Sequence, residues 1–306
     1  MTRSLLLGVL ALLAQAAYGQ SVEDLERLLK ERDAKIRELS ARLEAQKKPE
    51  DDDELNRALE RTLVQQGAMV LPARVYEIEP QISYAHWDRD RGPFRYVWTA
   101  ALSARAGVGW GSLVELRVPY VHAATASDSA TDLGDLSIAL VKQLAAEQRG
   151  RPGLLASLGW VTHTGQDAFN GQVPTGSGFS VPQAALTAVK RDDPLVYFGS
   201  ASYSAPRGRD ISGVRVELGN AVGLRGGAIL AATPHSSINV GLNLASVAAS
   251  RVDGQRVSDS DTVLGTLELG FGTVLSRRVM LNVGGEFRVS GPVANFRLVL
   301  GLPIRF

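Results

Sequence analysis

Residues 295–306 read NFRLVLGLPIRF, with apolar side chains at every second position: Phe296, Leu298, Leu300, Leu302, Ile304 and Phe306. Arg297, Val299, Gly301, Pro303 and Arg305 alternate with them. A period of two marks a β-strand, because successive side chains point to opposite faces. One face of this strand is continuously apolar, and the other carries two arginines among small residues. In a water-soluble sandwich the apolar face would meet a packed core. In a membrane-spanning barrel it would meet lipid, and the arginines would meet a wet lumen.

Composition narrows the classes. The 306 residues carry a formal net charge of +1, which offers no global case for nucleic-acid binding. No cysteine is present, so disulfide frameworks and thiolate metal sites are excluded. Residues 1–19 read as a secretory signal, with Arg3 in front, the apolar run LLLGVLALLAQAA, and Ala17-Tyr18-Gly19 before a cut at Gln20. Ala14-Gln15-Ala16 is a second candidate cut. The apolar run is shorter than the ~20 residues a spanning helix needs, and nothing longer follows it. The mature chain is expected to be soluble or to cross a membrane as a barrel.

Residues 20–48 are a different material. Val22, Leu25, Leu29, Ile36, Leu39 and Leu43 recur three and four apart, with Arg32 at the one interrupted position. That heptad pattern predicts a coiled coil. A lone helix of this length is marginal in water, so the seam requires a partner and the segment reads as an oligomerisation stalk. An amphipathic helix lying on its own domain is the other reading. The heptads do not fix the number of strands in the stalk. Residues 49–69 then hold a linker and a short helix. Pro49 breaks the stalk, the acids of PEDDDE favour a new helix N-terminus, and Gly67 is placed to close it. Leu55, Leu59 and Leu63 form its apolar side. Such a helix could lie at a membrane surface, dock on the stalk, or sit inside a pore.

From residue 70 to 306 the texture becomes glycine-rich and alternating. Twelve strands are expected, near 74–87, 94–108, 111–122, 133–145, 153–164, 179–190, 194–204, 217–231, 237–248, 262–275, 279–289 and 294–306. Every second connection is short: near Gly109, Ala146–Pro152, Asp192–Pro194, Thr233–Ser236 and Ser276–Arg278. The others include the long polar stretches Ala123–Asp132, Gly165–Gly178, Ala205–Val216 and Arg251–Asp261. Short turns on one rim and long loops on the other form the outer-membrane pattern. The fold class expected is therefore all-β and transmembrane: a twelve-stranded antiparallel outer-membrane β-barrel with an N-terminal α-helical coiled coil in the periplasm and a short helix after it. Pro80 and Pro303 fall on the two strands that close the barrel, and local bulges or a weakened seam are expected there.

Alternation also assigns faces. Val263, Leu267, Leu269 and Phe271 oppose Thr266, Glu268, Gly270 and Gly272; Val114, Leu116, Val118 and Tyr120 oppose Glu115 and Arg117. The polar face collects Glu77, Glu79, Arg105, Glu115, Arg117, Arg225, Glu268, Glu286, Arg288, Arg297 and Arg305. A mixed set of charges suits either a pore wall that sets the field on passing solutes or a salt-bridged filler. Twelve strands enclose more room than the eight that side chains alone fill, which favours a lumen that is open or plugged.

Three stretches carry a resemblance to known families. Residues 58–80, ALERTLVQQGAMVLPARVYEIEP, resemble the opening of the Fap functional-amyloid secretion channels. VELRVPY at 114–120 and DLGDLSIAL at 132–140 resemble stretches of the wider barrel superfamily named for phenol meta-pathway degradation. Phe306 is similar to the C-terminal aromatic signal that barrel-assembly machinery reads. The resemblance implies a homotrimeric barrel in outer-membrane lipid, with a periplasmic coiled coil and a helix of about Asp53–Gln66 that plugs and gates the lumen. The implied cargo is an unfolded amyloid-like subunit. The linker between stalk and plug is short here, whereas members of the family often have more.

Other classes remain open on sequence. A passive uptake porin for small molecules, such as aromatic compounds, would share barrel, loops and charges, though not the stalk. A barrel enzyme of the phospholipase type would need a Ser–His pair. The histidines are His86, His122, His163 and His235, all near rims or turns, with no nucleophile elbow or metal motif beside them. No enzyme activity, cofactor, metal site or nucleic-acid partner is expected.

Overall fold

The computed structural model describes residues 27, 30, 32–35, 38, 58–88, 94–169 and 172–306. The chain divides into two units, Met1–Asp53 and Glu54–Phe306. In the first, residues 32–35 are helical and exposed. The signal segment, most of the expected coiled coil, and residues 49–57 with Leu55 lie outside the described residues.

The second unit is built from strands β1 (Tyr76–His86), β2 (Tyr96–Gly109), β3 (Ser112–Ala124), β4 (Ser129–Leu133), β5 (Ser137–Ala145), β6 (Gly153–Val161), β7 (Val181–Asp192), β8 (Leu195–Ser204), β9 (Arg209–Ile211), β10 (Val214–Glu217), β11 (Ala221–Thr233), β12 (Ser236–Val247), β13 (Arg251–Val252), β14 (Gln255–Arg256), β15 (Thr262–Val274), β16 (Met280–Ser290), β17 (Phe296–Gly301) and β18 (Ile304–Arg305). One antiparallel sheet runs β17-β16-β15-β12-β11-β8-β7-β6-β5-β3-β2-β1, and β17 pairs with β1 to close it. β4 and β5 pair with successive halves of β3, and β17 and β18 with successive halves of β1. Each of these pairs is one interrupted wall strand, so the barrel has the twelve expected. Closure leaves no sheet edge, which is what allows a sheet to stand in lipid.

The outer surface follows from the period of two. Ile78, Ile82, Leu102, Leu116, Leu140, Leu158, Leu224, Leu242, Leu269 and Leu300 are exposed on it, while the alternate residues face the lumen. Toward the long-loop rim, Tyr84, Tyr96, Trp98, Phe296 and the rings of His86 and His122 pack against one another in stacked and tilted pairs across β17, β1, β2 and β3. Amphipathic rings suit a membrane–water boundary.

The prolines act at the seam. Leu302 N–H donates to Pro80 O at 3.0 Å, so the side of β1 that faces the last strand is the side on which Pro80 lacks a donor. The last strand answers with the break at Leu302–Pro303 that separates β17 from β18. The seam is otherwise continuous, with Gln81 opposite Gly301 and Glu77 opposite Arg305.

The long connections hold more structure than their polarity suggests. Ala123–Asp132, expected as a loop, is a hairpin: β3 runs to Ala124 and β4 pairs back on it from Ser129, with a turn held by Thr125. Ala205–Val216 and Arg251–Asp261, also expected as loops, contribute β9, β10, β13 and β14 to a small four-stranded sheet of their own. Alternation was too short in these stretches to stand out, and pairing between loops distant in sequence supplied the register. The short rim holds tight turns, such as Gly109-Trp110-Gly111 with all three residues at positive φ.

Candidate functional site: the lumen and its helix

Residues 58–65 form a helix inside the barrel, at the short-turn rim. It ends at Gly67 with φ +68°, where Ala68 N–H bonds Leu63 O at 2.8 Å and Gly67 N–H bonds Val64 O at 3.0 Å. This paired closure satisfies the helix's last carbonyls, and it requires the left-handed residue that glycine supplies. The chain then runs along the wall to β1. Gly107 permits this passage, since a Cβ there would stand 1.9 Å from Pro72 O.

The helix is held from every side. Leu63, 1% exposed, packs with Leu155, Val189, Val196, Phe198 and Ile229 of β6, β7, β8 and β11, with Leu59 beside it. Val64 packs with Leu71 and with Leu113 of β3. Thr62 Oγ1 and Ser237 Oγ of β12 are 2.7 Å apart. Arg61 donates to Arg277 O in the β15–β16 turn at 2.6 Å, and Glu60 pairs with Arg305 of β18 at 3.7 Å. Gln65 donates to Glu77 of β1 at 3.0 Å, and Gln66 accepts from Arg225 of β11. Partners on so many wall strands place the helix across the lumen. They do not leave it lying against one wall.

Register brings the wall charges together in one cluster and several pairs. Glu77 lies opposite Arg105 on one side and Arg305 on the other, and Arg105 lies opposite Glu115. Arg105 donates to Glu77 at 3.0 Å, Glu79 at 2.8 Å and Glu115 at 3.2 Å, while Arg305 reaches Glu77 at 3.3 Å. Glu77 and Glu79 are 1% and 3% exposed, so Arg105 is what keeps two desolvated carboxylates in place. Across the lumen Arg225 forks onto both oxygens of Glu268 at 3.0 and 3.1 Å. Arg297 faces Glu286 at 3.6 Å, and Arg288 faces Asp88 at 3.4 Å. Arg117 differs: its partner is the neutral Gln81 amide at 3.0 Å.

Above the helix lies a cavity of about 300 Å³. Its floor is Thr62, Gln65 and Gln66, and its wall includes Gln81, Arg117, Arg225, Asn239, Glu268, Asn282, Glu286 and Arg297. A second cavity of about 390 Å³, lined by Trp87, Asn243, Thr266, Pro292 and Ala294, shares Glu286 and Arg297 with the first and continues toward the long-loop rim.

Sequence reasoning missed the loop that covers part of that rim. Between β6 and β7, Val173 and Phe179 are buried, and Val173 packs on Val121 and Ala123, whose side chains face inward from β3. Asp135, in the break between β4 and β5, accepts from Gly165 N–H at 3.0 Å, Ser177 N–H at 2.6 Å and Ser177 O–H at 2.8 Å. Gly176 permits this grip, since a Cβ there would stand 2.4 Å from the carboxylate. The available signal was an apolar valine and phenylalanine within an otherwise small and polar loop. At the opposite rim, Glu147 accepts from Arg191 N–H at 2.8 Å and Lys190 at 3.1 Å. Burial pushes its carboxyl up, and these bonds outweigh burial and hold it below the ordinary range.

His163 Nδ1 and Ser180 Oγ are 3.0 Å apart, and among the described residues no carboxylate is bonded to His163 to orient it as a general base. Among the described residues no group of three potential metal ligands occurs.

No family model matches the chain, and no curated protein matches it. Solved structures do. The COG4313 outer membrane channel from Pseudomonas putida F1 superposes with a TM-score of 0.66 at 15% identity, over 78% of this chain and 97% of that one. The NanC porin aligns at 8% identity and a TM-score of 0.49, over 75% of this chain and 98% of that one. The superposition on the COG4313 channel shows the fold, a closed antiparallel β-barrel of twelve wall strands.

Proposed function

We propose that this chain is a gated outer-membrane channel, with the stalk and short turns on the periplasmic side and helix 58–65 as the gate. The observation that carries the reading is the helix itself, seated across the lumen on bonds to the wall. Seating by side-chain hydrogen bonds and two apolar clusters is reversible on the scale of a gate, unlike the strand ladders around it. Single-channel conductance in planar bilayers tests this, comparing the mature chain with one lacking residues 20–67. A largely closed full chain and a steadily conducting truncation are expected. Equal conduction by both would remove the gate. A folded, inserted truncation that never conducts would remove the channel.

The cargo we assign is an unfolded amyloid-like subunit leaving the periplasm, with three chains joined through residues 20–48. The support is the likeness of residues 58–80 to the secretion channels, a stretch that here comprises the seated helix, its descent along the wall and the start of β1. Uptake of small molecules is the second reading, favoured by the two cavities, sharing Glu286 and Arg297 in their walls, between the gate and the long-loop rim. A secretion assay in cells separates the two: export of an amyloid subunit should cease when this chain is absent and return when it is supplied. Unchanged export would leave uptake standing.

A further inference from the structure

We infer that the cavity above the helix is a binding site for a small monocarboxylate, with Arg117 in its wall and Arg297 at its junction with the outer cavity. The inference goes beyond the gating reading and does not require the barrel to conduct, because the site faces the long-loop side while the helix is seated.

Pairing decides the chemistry. Six charged side chains line the cavity: Arg117, Arg225, Arg297, Glu79, Glu268 and Glu286. Glu79 is committed to Arg105 at 2.8 Å, and Glu268 to the fork of Arg225. Glu286 is shared with Arg297 at 3.6 Å, beyond hydrogen-bond range. Arg117 has no carboxylate within ion-pair distance among the described residues, only the Gln81 oxygen at 3.0 Å. Its guanidinium therefore keeps donors free, and a guanidinium fork matches a carboxylate. Arg297 lies at the junction with the outer cavity and is loosely held, so it can meet the same anion on entry.

The rest of the lining sets the ligand's size and charge. About 300 Å³ is at the lower end of small-molecule pockets. Gln65, Asn239, Asn282 and Thr99 offer neutral hydrogen bonds around it. Three carboxylates stand in the same wall, so a dianion would meet repulsion that a monoanion meets less.

Equilibrium titration of the full, detergent-folded chain tests this, with butyrate as the probe and butyramide as its neutral isostere. Butyrate binding that weakens with added salt, and no binding of butyramide, are expected. Arg117→Gln should weaken butyrate about tenfold or more, as loss of a charge-assisted bond does. Equal binding of acid and amide, or butyrate binding unchanged in Arg117→Gln, would overturn the assignment. Should Arg117→Gln not fold, Arg297→Gln decides, its side chain being the more exposed: retained affinity there overturns the site. Because the titration reads the closed barrel, failure of the channel experiment leaves it unaffected.

Discussion

Arg105 is the residue on which the inner wall most depends. Three carboxylates converge on it, two of them nearly fully buried. A neutral side chain there would leave the buried Glu79 without an ion pair among the described residues and Glu77 with Arg305 alone. Arg105→Met is expected to destabilise the folded barrel by about 3–5 kcal/mol, read as a lower denaturant midpoint for the loss of the compact, heat-modifiable form. Glu79→Gln made in the same background should restore part of that loss, since it removes one uncompensated charge. A midpoint unchanged in Arg105→Met would mean that lumen water screens the carboxylates. Sequence alternation placed these residues on one face without identifying their partners. Arg117 and Arg105 read alike in sequence, and only the register leaves one ringed by acids and the other beside an amide.

Two elements stand at the two ends of the lumen. At the short-turn rim, Leu63 is the apolar anchor of the helix. Leu63→Ala should weaken its seating by about 2–5 kcal/mol, the usual cost of deleting a buried leucine. The expected result is a larger open fraction in bilayers with the barrel's own unfolding midpoint unchanged. At the other rim Asp135 holds the β6–β7 loop through three hydrogen bonds. Bonds to a charged acceptor are worth roughly 1.5–3 kcal/mol each, so Asp135→Ala should free the loop. Limited proteolysis is the readout: new cleavage within residues 165–179 is expected, and a resistant loop would show that Val173 and Phe179 suffice to hold it. The helix was legible in sequence because its 3.6-residue period and terminal glycine are local signals. The loop was not, because its burial depends on Val121 and Ala123, which are remote in sequence.

At the scale of the whole molecule, Met1–Asp53 and Glu54–Phe306 are separate units. A barrel whose hydrogen bonds close on themselves needs no stalk to fold. Deleting residues 20–48 is expected to leave the heat-modifiable barrel intact while converting a cross-linked oligomer into monomer. Persistence of the oligomer would move its interface to the barrel wall. Strand number and the order of short and long connections were legible in the sequence, because the period of two and the spacing of turns are properties of neighbouring residues. The break at Leu302–Pro303 also had a sequence cause, since proline cannot donate to a ladder. Tertiary structure alone decided which charges pair, where the helix seats, which loop folds inward, and that one guanidinium is left facing an open cavity. Those outcomes depend on cross-strand register and on closure of the wall, which set side chains from distant strands a few ångströms apart.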